Sequence, residues 1–192
     1  MCLEAVARHN KPDTVSEKRG KEWVRVPANE FVRRVRHIAL GLADAGIQPK
    51  DRVALISENR PEWSLADLAI LSLGAITVPL YTTQAVDQIE FILKDSGARA
   101  LLVSGGRVLK HARKGFENLD QLEQVIVFDP ESAKGLPQAK TLESIEARGA
   151  AIEQDDRGGI CQANCPRATR RSGHHNLHVG DDRRAEGRHA DA

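Results

Sequence analysis

Up to about Ile152 the apolar positions fall in short blocks that switch between two periods. The compact Val/Ala/Leu/Ile run at Arg52–Ser57 follows a Pro49-Lys50-Asp51 turn and reads as a short strand buried on both faces of a parallel sheet. Phe31, Val35, Ile38, Leu42 and Ala45 fall instead at helical spacing, between an opening Pro27 and a closing Gly46. The same alternation continues along the chain. Strands are expected at Trp23–Val26, Thr77–Leu80, Arg99–Val103 and Gln124–Phe128, and helices at Trp63–Ala75, Val86–Lys94, Val108–Phe116 and Thr141–Ala151. Asn59 and Pro61 stand where the second helix can start, Ser96-Gly97 breaks the third, and Thr141 is placed to cap the last. Strands separated by helices predict an α/β fold: a βαβ, doubly wound, mainly parallel sheet. That architecture hosts many chemistries and names none.

Composition adds exclusions. The 192 residues carry 28 Lys and Arg against 27 Asp and Glu, so no bulk charge draws the chain to nucleic acid, and no nucleic-acid partner is expected. The longest apolar stretch, Leu65–Leu73, is broken by Asp67 and Ser72 and falls short of the roughly 20 residues of a membrane span. Met1–Asn10 carries Glu4 and Arg8 and has no signal-like apolar core. With three Cys, an odd number, a reducing, cytoplasmic location is expected.

A series of words in the first part carries more information: Pro27-Ala28-Asn29-Glu30-Phe31, Gly41-Leu42, Asp51-Arg52-Val53-Ala54-Leu55, Glu58-Asn59-Arg60-Pro61-Glu62-Trp63, Asp67-Leu68-Ala69, Gly74-Ala75 and Val78-Pro79-Leu80-Tyr81-Thr82. In this order and spacing they resemble the N-terminal part of the adenylate-forming acyl-CoA synthetases, the long-chain fatty acid type in particular, over roughly Val15 to Ala151. The resemblance implies a ligase of two half-reactions. A fatty acid carboxylate attacks the α-phosphate of ATP, with Mg²⁺ screening the phosphates, to give an acyl-adenylate and pyrophosphate; CoA thiolate then displaces AMP. Positioning and charge neutralisation do most of such work. The family's phosphate-gripping element is a Ser/Thr/Gly-rich loop ending in Pro-Lys-Gly, whose backbone N–H groups, hydroxyls and Lys hold phosphate. It is expected soon after the Thr141–Ala151 helix, and the frame as given has no such stretch. The resemblance therefore places no catalytic, cofactor-binding or metal-binding residue in this chain, and ATP, Mg²⁺ and CoA belong to the complete family enzyme. Peripheral membrane association is compatible with the family.

Residues 153–192 have a different character. From about Gly158 onward the only large aliphatics are Ile160, Leu177 and Val179, and Lys is missing although Arg167, Arg170, Arg171, Arg183, Arg184 and Arg188 recur. Such a segment cannot offset its ordering entropy by burial and is expected to be disordered. The bias is that of a G+C-rich gene translated out of frame. Val179-Gly180-Asp181-Asp182-Arg183 has codons GTN GGN GAY GAY CGN; read one base on, they permit Ser-Gly-Thr-Thr-Gly. Arg184–Gly187 then permits Glu-Pro-Lys-Gly, Arg188–Asp191 permits Val-Met-Leu-Thr, and Ala168–His178 permits Gln-Pro-Asp-Asp-Leu-Ala-Thr-Ile-Ile-Tyr-Thr. The composite is the family's phosphate loop, which points to a frameshift between about Ala150 and Gln162. On this reading residues 1–152 are the incomplete N-terminal subdomain of an AMP-binding domain, inactive alone. Exposed apolar faces and an open sheet edge are then expected, with poor solubility.

Other features have plainer readings. Cys161 and Cys165 followed by His174, His175 and His178 invite zinc, but the Cys spacing is not the usual one and out-of-frame coincidence accounts for it. Ser104-Gly105-Gly106 lies between a strand and a helix, where phosphate can sit, yet without a fuller glycine fingerprint it reads as a turn. His37 and His111 read as members of solvated basic faces, and Trp63 and Tyr81 as core or subdomain packing. The alternative to the synthetase is a free-standing flavodoxin-like binding module with a basic Cys/His tail, which would need an acidic cluster or a phosphate-binding turn at its strand ends.

Overall fold

This computed structural model describes residues 2–136 and 138–156. The chain opens with α1 (Cys2–His9) and a hairpin of β1 (Val15–Arg19) and β2 (Glu22–Val26), turned at Gly20 with φ +63°. There follow α2 (Ala28–Asp44), β3 (Arg52–Ile56), α3 (Pro61–Ser72), β4 (Ile76–Leu80), α4 (Val86–Ser96) and β5 (Ala100–Val103). The remainder is α5 (Gly106–Ala112) with a 3-10 turn at Arg113–Gly115, β6 (Gln124–Val127), α6 (Pro130–Ala133), β7 (Lys140–Thr141) and α7 (Leu142–Asp156). The α/β reading and the order of its main elements hold. The Trp23–Val26 strand, however, pairs antiparallel with β1 and stands outside the main sheet, and the helix read from Val108 starts at Gly106 and ends at Ala112. Thr141 does cap α7: its Oγ1 accepts from the Ser144 N–H at 3.0 Å, and the Ser144 Oγ accepts from the Thr141 N–H at 3.2 Å. By contrast, Arg60 rather than Asn59 stands at the N-cap of α3, with no side-chain cap, and Pro61 supplies the first helical residue.

The main sheet is parallel, with order β4-β3-β5-β6-β7. Alternation along each strand feeds two cores. Val53, Leu55, Ala100, Leu102 and Ile126 face the layer of α2, α3 and α7, while Ala54, Ile56, Leu101, Val103 and Val127 face α4 and α5. Each fully buried Leu or Ile here contributes roughly 1.5–3 kcal/mol relative to exposure. Four-residue apolar strands suffice because both of their faces are covered.

The α2–α7 crossing is unusually close. A Cβ on Gly149 would stand 1.8 Å from the His37 carbonyl oxygen, and one on Gly41 would stand 2.0 Å from that of Ile145, so backbone meets backbone. Around this notch Arg34 grips Glu146 with its Nε and Nη2 (2.9 and 3.0 Å), and Arg148 grips Asp44 in the same way (2.8 and 3.0 Å). Arg36 Nη1 and His37 Nε2 both reach Glu153, at 3.0 and 2.7 Å. Hydrogen bonds from Arg36 first and His37 second hold the Glu153 carboxyl below the usual glutamate range. His37 is thus not on a solvated face: only 6 % exposed, it is buried under α7 with Glu153 as its partner. The helical spacing placed it beside the arginines correctly, but nothing local announced the helix that covers them.

At the other end of the sheet β4 is an open edge. The Ile76 N–H donates to the Asp51 carbonyl, and alternation along a parallel ladder turns Thr77 and Pro79 outward. Pro79 has no N–H to offer there, which blunts the edge against a further strand. Ile76, at the start of the strand, and Tyr81, just beyond its end, are exposed, as are Leu71 and Phe91. Replacing Pro79 by Val is expected to restore a free donor and produce concentration-dependent association in size-exclusion chromatography. The Gly149→Ala variant is expected to lose about 2 kcal/mol or more of stability in urea unfolding, because no side-chain adjustment relieves a contact with backbone.

Candidate functional site

Counted from β3, the strand order is 2-1-3-4-5, the doubly wound order in which a ligand occupies the crevice beyond the carboxyl ends of the first and third strands. Here those are β3 and β5, whose following helices pack on opposite faces, α3 in one core and α5 in the other. The crevice is closed by the chain's own groups. Ser104, 1 % exposed at the end of β5, donates its Oγ–H to Glu58 Oε2 at 2.6 Å, bridging the two strand ends. Behind it Arg60 Nη1 donates to Asp129 Oδ1 and Arg60 Nε to Glu62 Oε2, both at 2.9 Å, and its guanidinium lies 5.7 Å from the centre of the Phe128 ring. Burial alone would lower the Arg60 pKa, but the hydrogen bonds to Glu62 and Asp129 prevail and raise it. Glu62 also acts on Arg34, whose pKa is raised first by its hydrogen bond to Glu146. The charges therefore alternate without a break from Asp129 through Arg60, Glu62 and Arg34 to Glu146.

The Ser104-Gly105-Gly106 segment, expected as a turn, leads straight into α5: Gly105 is its N-cap and Gly106 its first residue. A Cβ on Gly105 would lie 2.4 Å from both Asp129 Oδ2 and Ser132 Oγ, and the Gly106 N–H is taken by Ser132 Oγ at 2.8 Å. An incoming phosphate would face the carboxylates of Glu58 and Asp129, with the Arg60 guanidinium already engaged by Asp129 and Glu62. These residues do not fit a nucleotide triphosphate. Among the described residues there is also no group of three or more His, Cys, Asp or Glu placed to hold a metal ion. Cys161, Cys165, His174, His175 and His178 lie outside the described residues. His111 is exposed as read, with its Nε2 2.7 Å from the Gln84 carbonyl oxygen.

Beside the closed crevice lie two open clefts of about 540 and 700 Å³, which meet at Asn59 and Trp63. Glu58, Pro79 and Tyr81 line the first, and Lys18, Trp23 and Arg60 the second. Both tryptophans and the one tyrosine of the chain thus lie on one continuous surface. Trp63 is half-buried and packs against the core, as read; Tyr81 is 78 % exposed and is no core residue. The core reading of Tyr81 fails because β4 is an edge strand and nothing described lies beyond it. The Glu58–Ser104 hydrogen bond and the Arg60–Asp129 ion pair went unread because their partners are 46 and 69 residues apart in sequence. The charged word Glu58-Asn59-Arg60-Pro61-Glu62 at a strand end was the available signal.

Residues 3–168 match the AMP-binding enzyme family. The chain belongs to this family. It is 43 % identical over 79 residues, 41 % of its length, to the long-chain-fatty-acid–CoA ligase FadD15 of Mycobacterium tuberculosis. Over 166 residues, 86 % of its length, it is 22 % identical to the long-chain-fatty-acid–CoA ligase ACSBG1 of Rattus norvegicus. These matches span 13 % and 23 % of the two relatives. Among solved structures, the A domain of a carboxylic acid reductase from Segniliparus rugosus superposes over 78 % of this chain with a TM-score of 0.68 at 19 % identity, and covers 29 % of that chain. Coronafacic acid ligase from Pectobacterium brasiliense gives 0.64 at 20 % identity, over 76 % of this chain and 28 % of that one. The adenylate-forming resemblance carried by the word series is borne out, and the flavodoxin-like alternative, despite the matching strand order, is not favoured.

No helix among the described residues is long and apolar enough to cross a membrane. The Gly105→Ala variant is expected to push Asp129 from Arg60 and lower stability by about 1–3 kcal/mol, measured as a reduced urea midpoint at unchanged m.

Proposed function

We propose that this chain is the amino-terminal part of a long-chain fatty acid–CoA ligase, an enzyme that joins a fatty acid to CoA at the expense of ATP, releasing AMP and pyrophosphate. The observation that carries the reading is the family match over residues 3–168 together with 43 % identity to a long-chain-fatty-acid–CoA ligase over 79 residues. ATP, Mg²⁺ and CoA are the cofactors of the complete enzyme, which works in the cytoplasm. The Glu58 and Asp129 carboxylates that close the strand ends do not suit a triphosphate, and we therefore assign the chemistry to other parts of that enzyme. What they contribute is a scaffold: a parallel sheet covered on both faces, an ion network that fills the strand-end crevice, and an aromatic surface from Trp23 through Trp63 to Tyr81. Trp and Tyr on an exposed surface suit contact with another protein segment, and we read Trp63 and Tyr81 as packing residues between subdomains.

We further propose that the residues beyond α7, as given, are read out of frame, from a shift in the later part of the Ala150–Gln162 window, and that the chain in this form is inactive. What supports that part of the window is that α7 continues to Asp156 with Glu153 seated against Arg36 and His37. What supports the shift itself is that the codons of Ala168–Asp191, read one base on, permit the family's phosphate loop without a break. Two measurements test the reading. The gene sequence is expected to spell Ser-Gly-Thr-Thr-Gly-Glu-Pro-Lys-Gly one base on from the codons of Val179–Gly187; any other spelling overturns the frameshift. Pyrophosphate release with a long-chain fatty acid, ATP, Mg²⁺ and CoA is expected to be absent for the 192-residue chain and present once the frame is restored in the full-length gene. Turnover by the chain as given would refute inactivity, and a restored enzyme without activity on any long-chain fatty acid would refute the ligase assignment.

A further inference from the structure

His37 and Ser104 are the two buried polar or charged residues of the described chain, and while Ser104 belongs to the closed crevice, His37 takes no part in it. Its ring lies under α7, and its one side-chain partner shown is the Glu153 carboxylate at 2.7 Å. Buried imidazole is costly without such a partner, so the position of Glu153 and the burial of His37 depend on one another.

The two halves of α7 are held differently. The first half has its cap at Thr141, two buried apolar anchors in Leu142 and Ile145, and the paired grips Arg34–Glu146 and Asp44–Arg148. At Gly149 the two backbones touch, and a glycine inside a helix costs up to about 1 kcal/mol of helical stability relative to alanine. From Ala150 to Asp155 no residue of α7 is fully buried; Ile152 is only partly covered, and Glu153 carries the contacts to Arg36 and His37. We infer that the last turns of α7, from Ala150 to Asp156, form a latch held shut on α2 by the Glu153 carboxylate, opening at Gly149 independently of the sheet and uncovering His37 as they open. The latch releases locally because the anchors on the first half of α7 stay in place when it opens.

The test is native-state hydrogen exchange on the full 192-residue chain, comparing the wild type with Glu153→Ala and Glu153→Gln. The expected result for Glu153→Ala is a loss of amide protection of about ten-fold or more over residues 150–156, with the amides of Val53–Ile56 and Leu101–Val103 retaining theirs. Glu153→Gln, which can still accept from His37 but lacks the charge that holds Arg36, is expected to fall between the two. Unchanged protection at 150–156 in Glu153→Ala would overturn the latch. So would an equal loss across the strands, which would make Glu153 a support of the whole fold, or a Gln variant indistinguishable from Ala, which would remove His37 from the mechanism.

Discussion

A strand buried on both faces has to be covered twice, and most of this fold follows from that constraint. β3, β5 and β6 are four or five residues long and present apolar side chains in both directions, so neither helix layer is dispensable. The connections then have little freedom: α3 returns on one face to reach β4, and α4 crosses on the other to reach β5. That reversal creates a crevice between β3 and β5 as a geometric by-product. In this chain the crevice is filled with Glu58, Ser104, Arg60 and Asp129, which turns a place where related topologies hold ligands into structural support.

The covering layer is itself held by an exchange of size for proximity. Gly41 and Gly149 remove the side chains that would keep α2 and α7 apart, and the close approach lets Arg34, Arg36 and His37 reach carboxylates on the facing helix. The interface is therefore largely polar around a backbone contact, with Leu142 and Ile145 as its apolar anchors. Charge pairs of this partly exposed kind contribute modestly each, and their main effect is to set which residues face one another.

The main elements were legible because local rules and tertiary demands agree there. The Arg52–Ile56 run, the Phe31 to Leu42 stripe, the Pro61 start, the Gly97 stop and the Thr141 cap all carry their meaning within a few residues. Elements that depend on partners were missed: α1, β1 and the two-residue β7 have no distinctive pattern, and β7 exists through its pairing with β6. The solvated-face reading of His37 and the core half of the reading of Tyr81 failed for a related reason. Exposure is decided by what packs above a residue, and for His37 that was a helix more than a hundred positions later.

The sequence by itself determined the fold class, the order of its main strands and helices, and the family, because periodicity, turn residues and an ordered series of short words are all local properties. The strand order, the closing of the β3–β5 crevice, the burial of His37 and the exposure of Tyr81 were decided only by the tertiary structure. Each of these depends on groups brought together from distant positions, Glu58 with Ser104, Arg60 with Asp129 and His37 with Glu153, and no local pattern encodes which distant partner a side chain will meet.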